Sequence, residues 1–398
     1  MNRSGVTHPQ GFLAAGVACG LKRNGNRDLA VVVSETPAAV AGVFTTNVVK
    51  GHSLQWSRKN IAGGIGRAVA VNSGCANACL GPDGERDAER FAGMLASLAG
   101  CPVSQAFIGS TGVIGFPLDL QKIEHGLNEA FGQLSVDGGQ AAAEAVMTTD
   151  TFAKQAQATF SLDGREVRIG GFAKGSGMIH PNMATMISVL TTDIAITAPL
   201  LDKALRAAVS KSYNRISVDG DTSVCDKVLV LANGKAENRL IETENEDFRQ
   251  FVAKLTDVAV SLARMLARDG EGATKLLEFV VHGAPDPQTA HRMLEAICKS
   301  PLVKTAFFGE DANWGRILTA AGYSGASFDP DKIDIRLGDV TVCQNGTGLP
   351  FDEAAALEVL RRDEVVITLD LKAGSITDRM WTCDFSYDYV KINGSYRS

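Results

Sequence analysis

Long apolar runs and clusters of basic charge are both missing from this sequence of 398 residues. No stretch of about 18 apolar residues occurs, so no transmembrane helix is predicted. No Lys/Arg run is longer than two and the net charge is -6, which argues against a nucleic-acid surface or an anionic-membrane surface. The polar segment 1–9 has no apolar core of signal-peptide length. We therefore expect a cytoplasmic protein.

Motifs for metals and common cofactors are also lacking. The eight cysteines include no Cys-x-x-Cys pair, and Cys75 and Cys79 lie four positions apart with no histidine nearby. None of the six histidines belongs to a His-Glu-x-x-His motif. Because neither residue type shows the spacing of zinc ligands, the cysteines are expected to be reduced, buried thiols. No Gly-x-Ser-x-Gly elbow, dinucleotide fingerprint or P-loop is present. We expect neither a metal nor an organic cofactor.

Strand and helix patterns alternate along the chain, and 45% of the residues are hydrophobic. Short β-branched apolar runs predict strands over 29–33, 68–71, 105–108, 227–231, 276–281, 333–337 and 365–369, with a hairpin formed by 155–162 and 166–173. Apolar residues at helical spacing predict helices over 85–98, 118–131, 200–212 and 248–267. The mixture predicts an α/β fold with mixed α+β layers, in two domains or one large layered body.

The most informative segment is Lys174-Gly-Ser-Gly-Met-Ile-His-Pro-Asn-Met-Ala-Thr-Met186. Its glycines permit tight bends and its proline fixes one dihedral angle, which suits a peptide bond that a neighbouring hydroxyl attacks. Cleavage between Ala184 and Thr185 would make Thr185 N-terminal, and its α-amino group, with a pKa of about 7.7–8.0, could then act as base for its own Oγ. The local residues alone leave an ordinary turn or an anion-binding loop open.

Other motifs occur in order along nearly the whole chain. They are Val6–Phe12, Ala41–Asn47, Val71–Cys79, Gly109–Gly115, Thr148–Thr151, Ser217–Thr222, Ser300–Ala306, Asn313–Arg316 and Ile392–Ser398. Together with the segment Lys174–Met186, they resemble the ornithine acetyltransferase family, also called glutamate N-acetyltransferase. The sequence departs from the family pattern at Cys75 and at Val224-Cys225.

The resemblance implies a self-cleaving acetyltransferase of arginine biosynthesis. Cleavage before Thr185 would give an α chain, residues 1–184, that forms an N-terminal α/β body. A β chain, residues 185–398, would complete that body and carry a smaller C-terminal α/β unit. Thr185 would take the acetyl group of N-acetylornithine and pass it to glutamate, while acetyl-CoA as a further donor stays open. These small molecules are the expected partners, and two α and two β chains are expected to form a heterotetramer.

The same resemblance assigns roles to individual residues. Thr185 would be the nucleophile. Thr111 and Gly112, which we expect in a glycine-rich turn after a strand, would stabilise the oxyanion. Contacts with the substrate are expected from Thr151, Lys174, Thr185, Glu271, Asn393 and Ser398. Without the resemblance, Ser-Thr-Gly is also typical of a turn or helix cap, and Lys174 and Glu271 are typical solvated charges.

Two other functions remain open at this stage. A self-processing hydrolase with an N-terminal nucleophile, such as an aminopeptidase or amidase, would use the same chemistry with water in place of glutamate. A binding protein without catalysis would keep an unbroken chain. The predicted contacts Lys174, Glu271, Asn393 and Ser398 fit a short zwitterionic amino acid better than a peptide, which favours the transferase.

Overall fold

The computed structural model describes residues 3–180 and 186–395. The chain divides into two compact units. The first comprises Met1–Gly175, Pro181–Asn214 and Thr222–Ala263, and the second comprises Ser176–His180, Arg215–Asp221 and Arg264–Ser398. Both units combine helices with a mixed sheet, so the predicted α/β class is confirmed.

In the described residues the strands are β1 Phe12–Val17, β2 Leu29–Phe44, β3 Ile65–Cys75, β4 Ala106–Val113, β5 Lys154–Leu162, β6 Arg165–Lys174, β7 Ile187–Thr192, β8 Ile216–Ser217, β9 Lys227–Ala232, β10 Leu276–Ala284, β11 Asp334–Leu337, β12 Val340–Gln344, β13 Thr347–Gly348, β14 Glu364–Asp370 and β15 Ile376–Cys383. The helices are α1 His52–Asn60, α2 Gly81–Ala99, α3 Leu120–Gly132, α4 Gly139–Ala145, α5 Ala198–Lys211, α6 Glu246–Arg268, α7 Pro287–Lys299, α8 Pro301–Phe308, α9 Trp314–Gly322, α10 Glu353–Leu360 and α11 Tyr387–Gly394. Short 3₁₀ helices span Gly5–Thr7, Ile61–Gly63, Val103–Gln105, Tyr213–Arg215 and Pro330–Lys332.

The sheet of the first unit has the order β4-β3-β2-β9-β7-β6-β5, with β1 paired to β2. Pairs β3–β4 and β7–β9 are parallel, and the other pairs are antiparallel. Successive side chains of β3 enter different cores: Ala68 and Ala70 pack with α2 and α3, whereas Val69 and Val71 pack with α4. Both faces of the central strands are therefore buried, which explains their continuous apolar sequences.

The sheet of the second unit has the order β13-β12-β11-β14-β10-β15-β8. Here β10–β14 and β15–β8 are parallel pairs. Side chains from β10, β11 and β14 pack against α7, α8 and α9 in one apolar core. Phe279 and Phe307 meet edge to face in it, with ring centroids 5.8 Å apart. Within 3–180 and 186–395, no helix is long and apolar enough to cross a membrane.

The predicted turn around Thr111 and Gly112 is wrong, because both residues lie inside strand β4. The strand continues past the predicted end at 108 because it pairs in parallel with β3 as far as Gly74 and Cys75, where the register shifts. Gly112 has φ +130°, and a Cβ there would lie 2.4 Å from the backbone carbon of Gly74. The glycine-rich sequence therefore serves a close approach of two strands rather than a reversal of the chain.

Candidate active site

Lys174 is the last residue of strand β6, and its side chain contacts two threonine hydroxyls within the first unit. Its Nζ donates a hydrogen bond to Thr148 Oγ1 at 2.8 Å and another to Thr111 Oγ1 at 3.4 Å. Only 7% of Lys174 is exposed, so it is not the solvated surface charge that its residue type suggests. The structure thus brings together a predicted substrate contact and a predicted oxyanion residue.

The direction of the contact between Lys174 and Thr111 has a chemical consequence. A lysine ammonium can only donate, so Thr111 Oγ1 must be the acceptor. The hydroxyl hydrogen of Thr111 then remains available for a different acceptor. A hydroxyl that accepts from a cation is also polarised, which makes it a stronger donor.

The carboxylate of Asp150 binds several of the groups that surround Lys174. Its buried carboxylate accepts from Lys154 Nζ at 2.6 Å, from the Gly175 N–H at 2.7 Å and from the Thr148 N–H at 2.9 Å. Lys174 Nζ lies 4.0 Å from its second oxygen. Burial alone would raise the pKa of Asp150, but the charges of Lys174 and Lys154 and these hydrogen bonds outweigh it and hold the pKa well below its usual range. Asp150 therefore fixes the position of Lys174 and of the backbone at Thr148 and Gly175.

A polar cavity of about 270 Å³ adjoins the same residues in the first unit. It is lined by Lys22, Asn24, Asn26, Arg27, Glu144, Met147, Thr148 and Asp150. Burial, together with the charge of Lys174, lowers the pKa of Lys22 to about 8. Arg27 and Glu144 form an ion pair at 2.6 Å across the lining. Charges of both signs in a small volume suit a compact zwitterionic molecule.

Glu271 and Asn393 come together within the second unit. Glu271 follows α6 and is only 6% exposed. Its Oε2 accepts from Asn393 Nδ2 at 2.7 Å, and its N–H donates to the Ser176 carbonyl at 2.9 Å. A Cβ on Gly177 would lie 2.3 Å from Glu271 Oε2, so a larger residue at position 177 would displace this carboxylate. Two of the substrate contacts predicted for this unit, Glu271 and Asn393, are thus held in fixed positions.

Helix α11, which carries Asn393, is docked by aromatic contacts and by a close backbone approach. Phe385 stacks on Tyr389 with ring centroids 4.6 Å apart, and Phe308 meets Tyr387 edge to face at 5.4 Å. A Cβ on Gly272 would lie 2.6 Å from the Tyr389 nitrogen. This part of the C-terminal segment is therefore packed, which makes Asn393 a structurally defined partner for Glu271.

The remaining predicted residues are less informative. Thr151 is exposed in the connection between α4 and β5. Thr185, the Ala184–Thr185 bond and Ser398 lie outside the described residues. Across 3–180 and 186–395, no group of three or more His, Cys, Asp or Glu residues could hold a metal ion. All eight cysteines are free, and six of them are buried.

Sequence reasoning missed Thr148, Asp150 and Lys154 as members of the cluster. Two of them belong to the motif Thr148–Thr151, which carried part of the family resemblance. Their roles depend on Lys174 and Gly175, which lie twenty or more positions further along the chain. The motif could have indicated a site, but not the partner of each side chain.

Comparison of the sequence with known proteins gives a consistent result over nearly the whole chain. The model of the ArgJ family matches residues 13–398. The arginine biosynthesis bifunctional protein ArgJ of Symbiobacterium thermophilum is 51% identical over 99% of this chain and 98% of its own length. The protein of the same name from Caldanaerobacter subterraneus subsp. tengcongensis is 49% identical over 98% of each chain. A solved structure of arginine biosynthesis bifunctional protein argJ from Bacillus halodurans is 43% identical with a TM-score of 0.50, and covers 52% of this chain and 97% of that chain.

The mixed α/β fold and these relatives define the chain as an enzyme, an acyltransferase of arginine biosynthesis. The chain belongs to the ArgJ family, because the family model and the relatives both cover nearly its full length. The family resemblance noted in the sequence is thereby confirmed.

Proposed function

We propose that the protein transfers the acetyl group of N-acetylornithine to glutamate through an acetyl ester on Thr185 Oγ. The observation that carries the proposal is the contact between Lys174 Nζ and Thr111 Oγ1. It leaves a polarised hydroxyl hydrogen in a buried site where the developing negative charge of an acyl transfer needs a donor. Membership of the ArgJ family supplies the reaction class.

The active form would arise by cleavage of the Ala184–Thr185 bond. Thr185 Oγ attacks the Ala184 carbonyl, the Thr185 nitrogen leaves with a proton, and water hydrolyses the resulting ester. The products are a chain ending in Ala184 and a chain beginning with Thr185, which acquires a free α-amino group. The solved Bacillus halodurans chain supports this step, because it matches over 97% of its length yet covers only 52% of this chain. A chain of residues 185–398 would be of comparable size.

In the first half-reaction the Thr185 α-amino group takes the proton of Oγ as Oγ attacks the acetyl carbonyl. The carbonyl oxygen becomes negative and receives hydrogen bonds from the Thr111 hydroxyl and the Gly112 N–H. The tetrahedral intermediate collapses, the proton passes to the departing nitrogen, and ornithine leaves the acetyl ester behind. Glutamate then attacks through its α-amino group and the same steps run in reverse, giving N-acetylglutamate.

The remaining roles follow from charge. Lys174 and the adjoining cavity, with Lys22 and Arg27 in its lining, would attract the α-carboxylate of either substrate. Glu271, held by Asn393, would accept a hydrogen bond from a substrate amino group. Thr151 and Ser398 complete the proposed contacts. A substrate-binding set with both signs of charge suits amino acids that differ only in their side chains.

A second activity is included because the curated relatives are called bifunctional. In it, acetyl-CoA supplies the acetyl group and glutamate again accepts it. Release of free thiol from acetyl-CoA in the presence of glutamate, measured with a thiol reagent, tests this activity. If an enzyme that is active on N-acetylornithine releases no thiol from acetyl-CoA, then transfer from N-acetylornithine is its one activity. The quaternary form we propose, two α and two β chains, is tested by native mass spectrometry.

Steady-state kinetics test the main reaction. One site that holds donor and acceptor in turn gives parallel double-reciprocal lines for N-acetylornithine and glutamate. Thr185→Ala should remain a single chain and lack activity. Intersecting lines, or an active Thr185→Ala, would contradict the mechanism. Rapid release of acetate that does not depend on glutamate would instead favour a self-processing hydrolase.

A further inference from the structure

Lys304, in the motif Ser300–Ala306, is a buried cation that the mechanism above does not use. It lies in helix α8 and is fully buried. Its Nζ donates hydrogen bonds to Thr382 Oγ1 at 2.6 Å and to the Cys383 carbonyl, and it lies 3.6 Å from Cys383 Sγ. Every partner of this ammonium among the described residues is a neutral group. A buried charge without an opposite charge is costly, so stability alone does not explain a lysine at this position.

The same lysine contacts both the ring and the backbone of Phe385. Lys304 Nζ lies over the Phe385 ring, 4.5 Å from its centroid, and the Phe385 N–H donates to the Lys304 carbonyl at 3.4 Å. An ammonium is attracted by the negative face of an aromatic ring, and more strongly where water is excluded. The Phe385 ring in turn stacks on Tyr389, with 20° between the ring planes. The cation therefore fixes the ring against which the first turn of α11 packs.

The stack leads to the amide of Asn393, which lies one turn of α11 beyond Tyr389. Asn393 Nδ2 donates to the Tyr389 carbonyl at 3.0 Å and to Glu271 Oε2 at 2.7 Å. An amide nitrogen carries two hydrogens, so these two bonds use both of them and fix the orientation of the amide. The position of Tyr389 therefore determines where the Asn393 amide meets the Glu271 carboxylate.

The segment that enters α11 is also bonded to the segment that follows Glu271. The buried Asp384 carboxylate accepts from the Thr274 N–H at 2.8 Å, and Ser386 Oγ donates to the Gly272 carbonyl. Neither bond involves the ammonium in α8. Loss of that ammonium should therefore shift the aromatic stack without separating the two segments.

From these contacts we propose that Lys304 is a positioning residue for the Glu271–Asn393 pair. It acts through the Phe385–Tyr389 stack, which sets the position of α11. A shift of the pair weakens the binding of a substrate amino group rather than the chemical step. N-acetylornithine is the suitable probe, because its one free amino group is not the nitrogen that reacts, and its binding is therefore the same in the ground state and the transition state. This inference rests on the proposed contact between Glu271 and a substrate amino group.

The test compares substitutions on both sides of the contact with one matched control. Lys304→Met removes the ammonium and keeps a long side chain, Phe385→Leu removes the ring, and Phe385→Tyr keeps a ring. Lys275→Met is the control, because Lys275 is also a buried lysine of the second unit, and its Nζ donates to a backbone carbonyl, that of Leu360, at 2.7 Å. For the cleaved form of each variant we would measure kcat, KM for N-acetylornithine and the melting temperature.

Lys304→Met should raise KM about tenfold and leave kcat within about threefold, because a misplaced hydrogen bond to a charged group costs about a power of ten in affinity. Phe385→Leu should have the same effect, and Phe385→Tyr should keep KM within about twofold. Since the lysine acts through the ring, Lys304→Met and Phe385→Leu together should raise KM by no more than about twofold beyond either alone. Lys275→Met should lower the melting temperature but leave KM and kcat within about twofold.

Three results would overturn the proposal: wild-type KM for folded Lys304→Met, multiplying effects of Lys304→Met and Phe385→Leu, or an equal rise of KM in Lys275→Met. If Lys304→Met does not fold, Lys304→Gln keeps a donor for Thr382 without the charge over the ring and carries the same expectation.

Glu271→Gln separates this proposal from the proposed function. If Glu271→Gln leaves KM for N-acetylornithine unchanged, the proposed substrate contact of Glu271 fails. If Glu271→Gln raises KM while Lys304→Met behaves as wild type, only the positioning role of Lys304 fails.

Discussion

Replacing Thr111 by valine should remove most of the catalytic rate while leaving the site assembled. Valine has nearly the shape of threonine but no hydroxyl, so it deletes the hydrogen bond that the proposed oxyanion would receive. Lys174 would keep its contact with Thr148 Oγ1 at 2.8 Å and its position 4.0 Å from Asp150. The ground-state site is therefore largely preserved, and the loss should fall on the transition state.

The expected size of the loss follows from the kind of contact that is removed. Deleting one oxyanion donor lowers kcat by about 10²–10³, which corresponds to about 2.7–4 kcal/mol. The Thr111 hydroxyl accepts from Lys174 in a site that is largely shielded from water, so we expect the upper half of this range. KM for N-acetylornithine should change by less than about threefold, because the ground-state carbonyl needs this donor much less.

The assay is steady-state transfer from N-acetylornithine to glutamate by enzyme that has completed self-cleavage. Thr111→Ser, which keeps the hydroxyl, should retain most of the activity. Ser110→Ala is a control on the same strand, because the Ser110 hydroxyl bonds to Ser53 and Asn72 rather than to the Lys174 cluster. Unchanged kcat in a folded Thr111→Val enzyme, or an equal loss in Ser110→Ala, would refute the reasoning. Thr111→Val should also slow self-cleavage, which forms a similar oxyanion.

Three other predictions follow from the buried charges and close approaches. Asp150→Asn should lower the free energy of unfolding by about 3–5 kcal/mol, because it breaks the buried ion pair between Asp150 and Lys154, and denaturant titration measures this. The pKa of Asp150 is lowered in the folded protein, so ionised Asp150 stabilises the fold fully above its unfolded pKa of about 3.9. This stabilisation is lost as the pH falls toward the folded pKa. Between pH 5 and pH 3, the free energy of unfolding should therefore fall more steeply in the wild type than in Asp150→Asn. Gly177→Ala should displace Glu271 and raise KM by about tenfold or more, whereas Gly322→Ala, where a Cβ meets nothing within 4 Å, should not.

Much of the architecture could be predicted because its patterns are long and regular. The apolar stripe over 248–267 became α6 Glu246–Arg268, and the hairpin around Asp163-Gly164 became β5 and β6. Helix α7, Pro287–Lys299, was missed even though Ala290, Met293, Leu294 and Ile297 show helical spacing and are buried in it. The physical signal for this helix is therefore present in the sequence.

The site could be predicted only in part, because its chemistry depends on contacts between distant residues. The family resemblance indicated Thr111 and Lys174, and the structure brings them within 3.4 Å. A role for Asp150 could not be assigned from the sequence, since this role depends on simultaneous contacts with Lys154, Gly175 and Lys174.

The acetyl ester on Thr185 is the central claim, and mass spectrometry of a rapidly quenched sample tests it most directly. Purified enzyme should separate into two chains, the second beginning with Thr185. Incubation with N-acetylornithine alone should add one acetyl group to that second chain, and glutamate should remove it. A single unbroken chain, or two chains with no acetyl group on the one that begins with Thr185, would contradict the account.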